Sequence, residues 1–279
     1  MKIFVEWFGT ACVTLKFGDS KLLFDPFLLR NEHASPSLMV NKEEILPVNG
    51  VFISHGHFDH ITEAAWFAQN ADVPVYCSKI AKKNILEWAK GELNENSAIS
   101  LSEKAIDNIK AIDFGDTIQI DKDLEVEALK SCHIKFDART ILSRLFSKKF
   151  LKQAKTISKY GRSFPMGKVF GFHIKYKDKR ILALGSLCIK YLEEWKKYSN
   201  CDLLFVPFAG NSKKHLTQKT LKLIYIIRPK ILIPIHWDNF FPPLSQLEDV
   251  DYFIEIVKDE YPTIKTLKPA FQKEFSIEI

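Results

Sequence analysis

The 279-residue chain has no apolar run of the roughly 18 residues that a membrane-spanning helix needs. It also has no CxxC pair. Its five cysteines (Cys12, Cys77, Cys132, Cys188, Cys201) are odd in number and far apart. That speaks against a disulfide framework or a zinc knuckle and predicts reduced, mostly buried thiols. The opening MKIFVEWFGTACVTLKFG alternates like a strand and lacks the layout of a secretory leader, so a cytoplasmic location is expected. Internal repeats, low-complexity tracts and Pro/Gly/Ser-rich linkers are absent, and the expectation is one domain over 1–279. Acidic residues are missing altogether from 138–177.

What is present reads as strands and helices in alternation. KIFVEWF, CVTLKF and KLLFDP are short strands, followed by the buried-type strand GVFISH. TEAAWFAQ predicts a helix capped by Thr62, and a second helix is expected over about 80–90. Strands return at IKAIDFG, TIQI and LEVEALKSCH, then at KVFGFHIKY, RILALGS, DLLFVPF and KILIPIH. Helices are expected near 191–198, 218–227 and 246–258. Two sheets packed face to face with helices outside would bury these runs.

The acid-free segment holds RTILSRLFSKKFLKQAKTISKYGR, with apolar residues near helical spacing and lysines and arginines on the remainder. It predicts a basic amphipathic helix inserted at about 138–165. Such a helix packs its stripe on the body, covers a site, touches anionic lipid or cradles a phosphate-bearing substrate. The net charge of +6 suits anionic ligands but is too small to argue for nucleic acid.

The densest chemistry lies in VFISHGHFDHIT, where His55, His57, Asp59 and His60 fall within six residues after an apolar strand. In extended backbone His55 and His57 point to the same side, and Asp59 and His60 follow where the chain turns into a helix. Clustering them without a cation would incur desolvation and repulsion. A metal site follows, with N and O ligands at about 2.0–2.2 Å for zinc.

HGHFDH, together with LLFDP, SCHIKFD and ILIPIHWDNF in that order, resembles the metallo-β-lactamase superfamily, nearest its ascorbate-phosphate-lactonase-like branch. The resemblance implies an α+β fold, a four-layer αββα sandwich with a one- or two-metal site at one edge of the sheets. It implies His55, His57 and His133 around a first metal and Asp59, His60 and His236 around a second, filled by Zn²⁺, Mn²⁺ or Fe²⁺. Where two-metal members carry a bridging Asp, this chain has LALGSLC, with Ser186 in that place. A hydroxyl is a poor substitute for an anion between two dications, and Cys188 is a nearby group the site could recruit. Asp25 and Asp238 are candidates to accept the distal N–H of a ligand histidine. His215 is a candidate substrate contact; His33 and His173 read as structural.

The activity implied is that of a metal-dependent hydrolase, using a metal-bound hydroxide on a phosphodiester, lactone or similar ester of an anionic, small or lipid-like molecule. Asp59 is its catalytic candidate, as ligand or as proton acceptor. Alternatives are a nuclease, or a catalytically weak metal-binding scaffold of the same fold, which Ser186 alone supports. Peripheral membrane contact through the basic insertion and a homo-oligomer complete the expected partners.

Overall fold

A computed structural model of the protein describes residues 1–30, 32–135, 152 and 159–279. One seven-stranded sheet has the order β14-β1-β2-β3-β4-β5-β6. Its members are β1 (Lys2–Trp7), β2 (Val13–Phe17), β3 (Ser20–Phe24), β4 (Gly50–Phe52), β5 (Val75–Cys77), β6 (Ile109–Ala111) and β14 (Phe275–Glu278). The other has the order β13-β12-β11-β10-β9-β8-β7. It comprises β7 (Thr117–Gln119), β8 (Leu124–Lys130), β9 (Phe170–Tyr176), β10 (Lys179–Leu184), β11 (Leu203–Pro207), β12 (Ile231–Ile235) and β13 (Lys265–Thr266). In each sheet antiparallel hairpins give way to parallel strands: β3 to β6 in the first, β10 to β13 in the second.

The layering follows from the two-residue period of the strands. Leu22, Phe24 and Phe52 face the second sheet and join Val126, Phe172, Ile174 and Ile181 in the core between the sheets. Their neighbours Leu23, Val51 and Ile53 face the other way, into a second core with Phe67, Ile85 and Trp88 from α2 (Ala64–Asn70) and α3 (Lys79–Ala89). On the far side α6 (Lys213–Ile227) and α7 (Val250–Glu260) bring Leu216, Leu223, Phe253 and Val257 onto the second sheet. The result is the expected αββα sandwich.

Element boundaries differ from the sequence reading in instructive ways. Thr62 does not start a helix: it is the C-cap of the one-turn α1 (Phe58–Ile61), and α2 begins after Glu63. The early turn forms because the chain must swing Asp59 and His60 back toward the strand ends. Ser78, whose side chain accepts from the Ala81 N–H, starts α3 as a proper cap. A helix at α4 (Glu103–Asn108) is also present, capped by Ser102, and α6 starts five residues before the expected 218. Near 191–198 there is only α5 (Leu192–Trp195) and a 3-10 turn, and the helix expected at 246–258 begins at Val250.

The cysteine expectation is corrected at one pair. Cys132 and Cys188 form a disulfide across 56 residues, because the segments leaving β8 and β10 run side by side. Cys12, Cys77 and Cys201 are buried free thiols, and burial pushes each pKa up, Cys77 and Cys201 to about 12. Most of the basic insertion, 138–151 and 153–158, lies outside the described residues; 159–163 are helical. Among the described residues no helix is long and apolar enough to cross a membrane.

Candidate metal centre

The candidate ligands gather beyond the C-terminal ends of strands, with Asp59 and His60 carried on α1. Asp25 follows β3, His55 lies three residues past β4, His133 three past β8, Gly185 and Ser186 follow β10, and His236 follows β12. Asp25 and His236 both turn the chain with positive φ, 43° and 61°. Two glycines permit the close packing there. A Cβ on Gly56 would meet the Asn84 side chain and the Pro165 carbonyl at 2.7 Å. Asn84 holds the Gly56 and Pro165 carbonyls at 2.7 and 2.8 Å, so the HGH turn is pinned between its two histidines. A Cβ on Gly185 would lie 2.0 Å from Ser54 Oγ and 2.6 Å from Asp25 Oδ2.

The six side chains fall into two groups, His55/His57/His133 and Asp59/His60/His236, each with its ligand atoms within 4.8 Å of one another. Hydrogen bonds fix which nitrogens face inward. His133 Nδ1 donates to the Ile134 carbonyl at 2.8 Å, leaving Nε2 as the lone pair. Ser54 Oγ donates to Asp25 Oδ2 at 2.6 Å, so it accepts from His55 Nδ1 at 3.0 Å and again leaves Nε2 free. His60 Nδ1 is 3.0 Å from Asp25 Oδ2. His60 Nε2 and His236 Nε2 each stand 3.5 Å from Asp59 Oδ2.

These separations are those of atoms sharing a cation. Tetrahedral zinc with nitrogens at about 2.05 Å places them roughly 3.3 Å apart; His55 Nε2 and His57 Nδ1 are 3.1 Å apart. His236 Nδ1 is buried without a hydrogen-bond partner. A donor set of imidazoles with one carboxylate suits Zn²⁺ and related divalent ions.

Electrostatics favour ligand-ready forms. Burial drives His55 and His57 below the usual histidine pKa, with neighbouring imidazoles adding to it at His55. His133 is lowered to about 4, by burial first and then by His57. Burial works to raise Asp59, but His60 and His236 overcome it and hold the carboxyl well below its usual range. His60 is raised, since Asp59 and Asp25 together outweigh its burial.

Asp25 thus supports both groups, directly through His60 and through Ser54 to His55. Asp238 lines the same cavity but serves otherwise. Its Oδ1 accepts from the Thr10 N–H at 2.7 Å and its Oδ2 from Arg30, so its place is to anchor the segment after His236 rather than to orient an imidazole. Ser186 Oγ accepts the Ile134 N–H at 3.0 Å, so it holds the His133 segment. Cys188 is taken up by its disulfide. His215 is exposed in the first turn of α6, bonded to Ser212 at 2.9 Å, and does not line the cavity. His173 sits mid-strand in β9, 3.2 Å from Glu127; His33 is exposed beside Glu32.

The cavity in front of the two groups has a volume of about 250 Å³. Phe58, Tyr160, Phe164, Phe240 and Leu244 form much of its wall, with Glu248 buried among them. Sequence reasoning missed this wall, because its residues come from three separated segments and share no motif.

A metal-binding αββα sandwich of this geometry defines a class of protein, and the comparisons place the chain within it. Residues 20–237 match the family described as the beta-lactamase superfamily domain. The chain belongs to that family and so to the metallo-β-lactamase superfamily. It is 38% identical over 71 residues, 25% of the chain and 30% of the relative, to a UPF0173 metal-dependent hydrolase of Methylacidiphilum infernorum. Along nearly its whole length it is similar to a UPF0173 metal-dependent hydrolase of Pyrococcus abyssi, 22% identical over 97% of the chain and 98% of the relative. In structure it is similar to a metallo hydrolase from Ignicoccus hospitalis, with TM-score 0.68, 14% identity and full coverage of both chains.

Proposed function

We propose that this metal-dependent hydrolase cleaves an ester bond, in a lactone, a phosphodiester or a similar ester, with Zn²⁺ as the metal. The observation that carries the reading is the pair of three-ligand groups, ligand atoms turned inward, at the floor of a cavity large enough for a small molecule. His55, His57 and His133 would hold one ion, and Asp59, His60 and His236 a second. When bound, the metal supplies an activated water and polarisation of the electrophile.

The chain's own residues supply the rest. Asp25 fixes the tautomer of His60 by accepting its Nδ1 proton, and Ser54 does the same for His55. Ser186 and the Cys132–Cys188 bridge clamp the segment that carries His133. Asp59 is the one carboxylate in the two groups; its Oδ2, 3.5 Å from both His60 Nε2 and His236 Nε2, would ligate the second ion, and with only the first ion bound it could accept a proton from water. The aromatic wall excludes bulk water, which strengthens each of these interactions. An insertion contact with anionic lipid, a homo-oligomer and a cytoplasmic location stay proposals alongside this one.

The test is hydrolysis of p-nitrophenyl esters and bis-p-nitrophenyl phosphate by protein stripped with chelator and reloaded with Zn²⁺ or Mn²⁺. Activity that returns with metal and falls at least a hundredfold in His57→Ala supports the reading. Hydrolysis indifferent to chelator or to His57→Ala refutes it.

A further inference from the structure

The segments that carry the two ligand groups are fastened in different ways. The turn between His55 and His57 is held by hydrogen bonds: the Gly56 N–H donates to the Met166 carbonyl at 2.8 Å, and the Gly56 carbonyl accepts from Asn84 at 2.7 Å. Asp59 and His60 ride on α1, with His60 Nδ1 3.0 Å from Asp25 Oδ2. The stretch after His236 is anchored where Asp238 accepts from the Thr10 N–H at 2.7 Å.

His133 stands beside a covalent tie. β8 ends at Lys130, the Ser131 N–H donates to the Val169 carbonyl at 3.0 Å, and from there to the ligand the chain runs outside any strand or helix. Cys132, the next residue, is bonded to Cys188, and His133 follows it. Ile134 then gives its N–H to Ser186 Oγ at 3.0 Å, while its carbonyl accepts from His133 Nδ1 at 2.8 Å. The ligand is therefore fastened on both sides to one segment, 186–188. The bridge is the stronger of the two fastenings, and it is the one that electron transfer can open. Of the six ligands His133 alone neighbours a bridged cysteine in sequence. It completes only one group, with its ring centroid 5.1 Å from that of His55 and 4.7 Å from that of His57.

We propose that the Cys132–Cys188 bridge is a redox control on the first metal position, holding His133 in place when oxidised and releasing it when reduced. The proposal rests on the reading of the six side chains as metal ligands and adds a regulation to it. In the reducing step a dithiol breaks the Sγ–Sγ bond. One of its thiolates attacks a cysteine sulfur, the other cysteine leaves as thiolate, and the second thiol of the reductant displaces the first. Two electrons and two protons pass to the protein, which gains two thiols, and the reductant becomes a disulfide. The His133 segment is left on its weaker hydrogen bond to Ser186. Affinity at His55/His57/His133 falls, as it does when a group supporting a metal ligand is removed, by roughly 10–100-fold. Asp59, His60 and His236 lie on segments that the bridge does not join, so their position keeps its ion.

The experiment reads Zn²⁺ affinity position by position. His236→Ala leaves the first position intact, and His57→Ala leaves the second. Each full-length protein is measured oxidised, then reduced with a phosphine (which ends as its oxide) and desalted without oxygen, then reoxidised with oxidised glutathione. Competition with a chromophoric chelator gives the affinity, and alkylation with mass spectrometry counts the thiols. Reduction should weaken Zn²⁺ binding at least tenfold in His236→Ala and no more than threefold in His57→Ala, and reoxidation should restore it. Cys132→Ser with Cys188→Ser, which leaves no thiol there to capture zinc, should reproduce the reduced value in the His236→Ala background.

Equal losses at the two positions would show that the bridge holds the fold as a whole, and they overturn the proposal. So does unchanged affinity in His236→Ala, or a bridge that the phosphine does not open in the folded protein. Oxidised protein that takes up Zn²⁺ at neither position refutes the metal reading itself, and the proposal with it.

Discussion

Replacing Asp25 with asparagine keeps the shape of the side chain and removes the charge on which both ligand groups lean. The native carboxylate accepts from the Ser54 N–H and the Ser54 hydroxyl at 2.6 Å each and from His60 Nδ1 at 3.0 Å, in a site 2% exposed. An asparagine offers one oxygen where there were two. Whichever way the amide turns, at least one donor meets an N–H instead of an acceptor. Leaving a buried donor unsatisfied costs about 1–3 kcal/mol, and loss of such a supporting carboxylate weakens metal binding roughly 10–100-fold. The effect should be unequal. His60 loses the charge of its direct partner, whereas His55 is reached only through Ser54. Competition against a chromophoric chelator, with metal content followed by elemental analysis, should show the Asp59/His60/His236 ion weakened by that factor and the other ion less. Unchanged affinities in both groups, with an unchanged melting temperature, would refute the argument that Asp25 orients the ligands.

Gly185→Ala should abolish stable metal loading, since a methyl 2.0 Å from Ser54 Oγ forces the Asp25–Ser54 pair apart; elemental analysis of the purified variant checks it. Reducing the Cys132–Cys188 bridge opens a loop closed across 56 residues, for which chain entropy gives about 4 kcal/mol. Thermal melts with and without dithiothreitol should differ accordingly, and Cys188→Ala should remove the difference. In the metal-free protein His133 has its pKa lowered from 6.5 to about 4, and His55 and His57 move the same way. At these three positions the folded state binds fewer protons than the unfolded, so their contribution to stability is present above pH 6.5 and is lost as pH falls through about 4, while His60, raised by Asp59 and Asp25, works the opposite way. Denaturant midpoints of the metal-free protein between pH 7 and 4 should fall steadily, and a flat profile would contradict it.

Local pattern made much of this molecule readable in advance. The strands follow from short β-rich runs closed by Gly9, Gly18 and Asp25-Pro26, and the HGHFDH turn carries four ligand-type residues without help from any other segment. His133 and His236 emerge only by resemblance, since each is a lone histidine at a strand end. What escaped depends on pairs that meet across the fold. Arg30 and Asp238 are 208 residues apart, and Ile134 and Ser186 are 52. Each looked available for another task until the partner was seen. From sequence alone Asp238 reads as a histidine acceptor, Ser186 as a replaced bridge, and Cys188 as a lone thiol. The cavity wall escaped for the same reason.

The central claim is that the six side chains hold metal. It is tested most directly by anomalous diffraction at the zinc edge from crystals of Zn²⁺-loaded protein. The account predicts a peak about 2.0–2.2 Å from His55 Nε2, His57 Nδ1 and His133 Nε2, and it places any second peak between Asp59, His60 and His236. Density at neither position, or zinc bound only elsewhere on the chain, would contradict it.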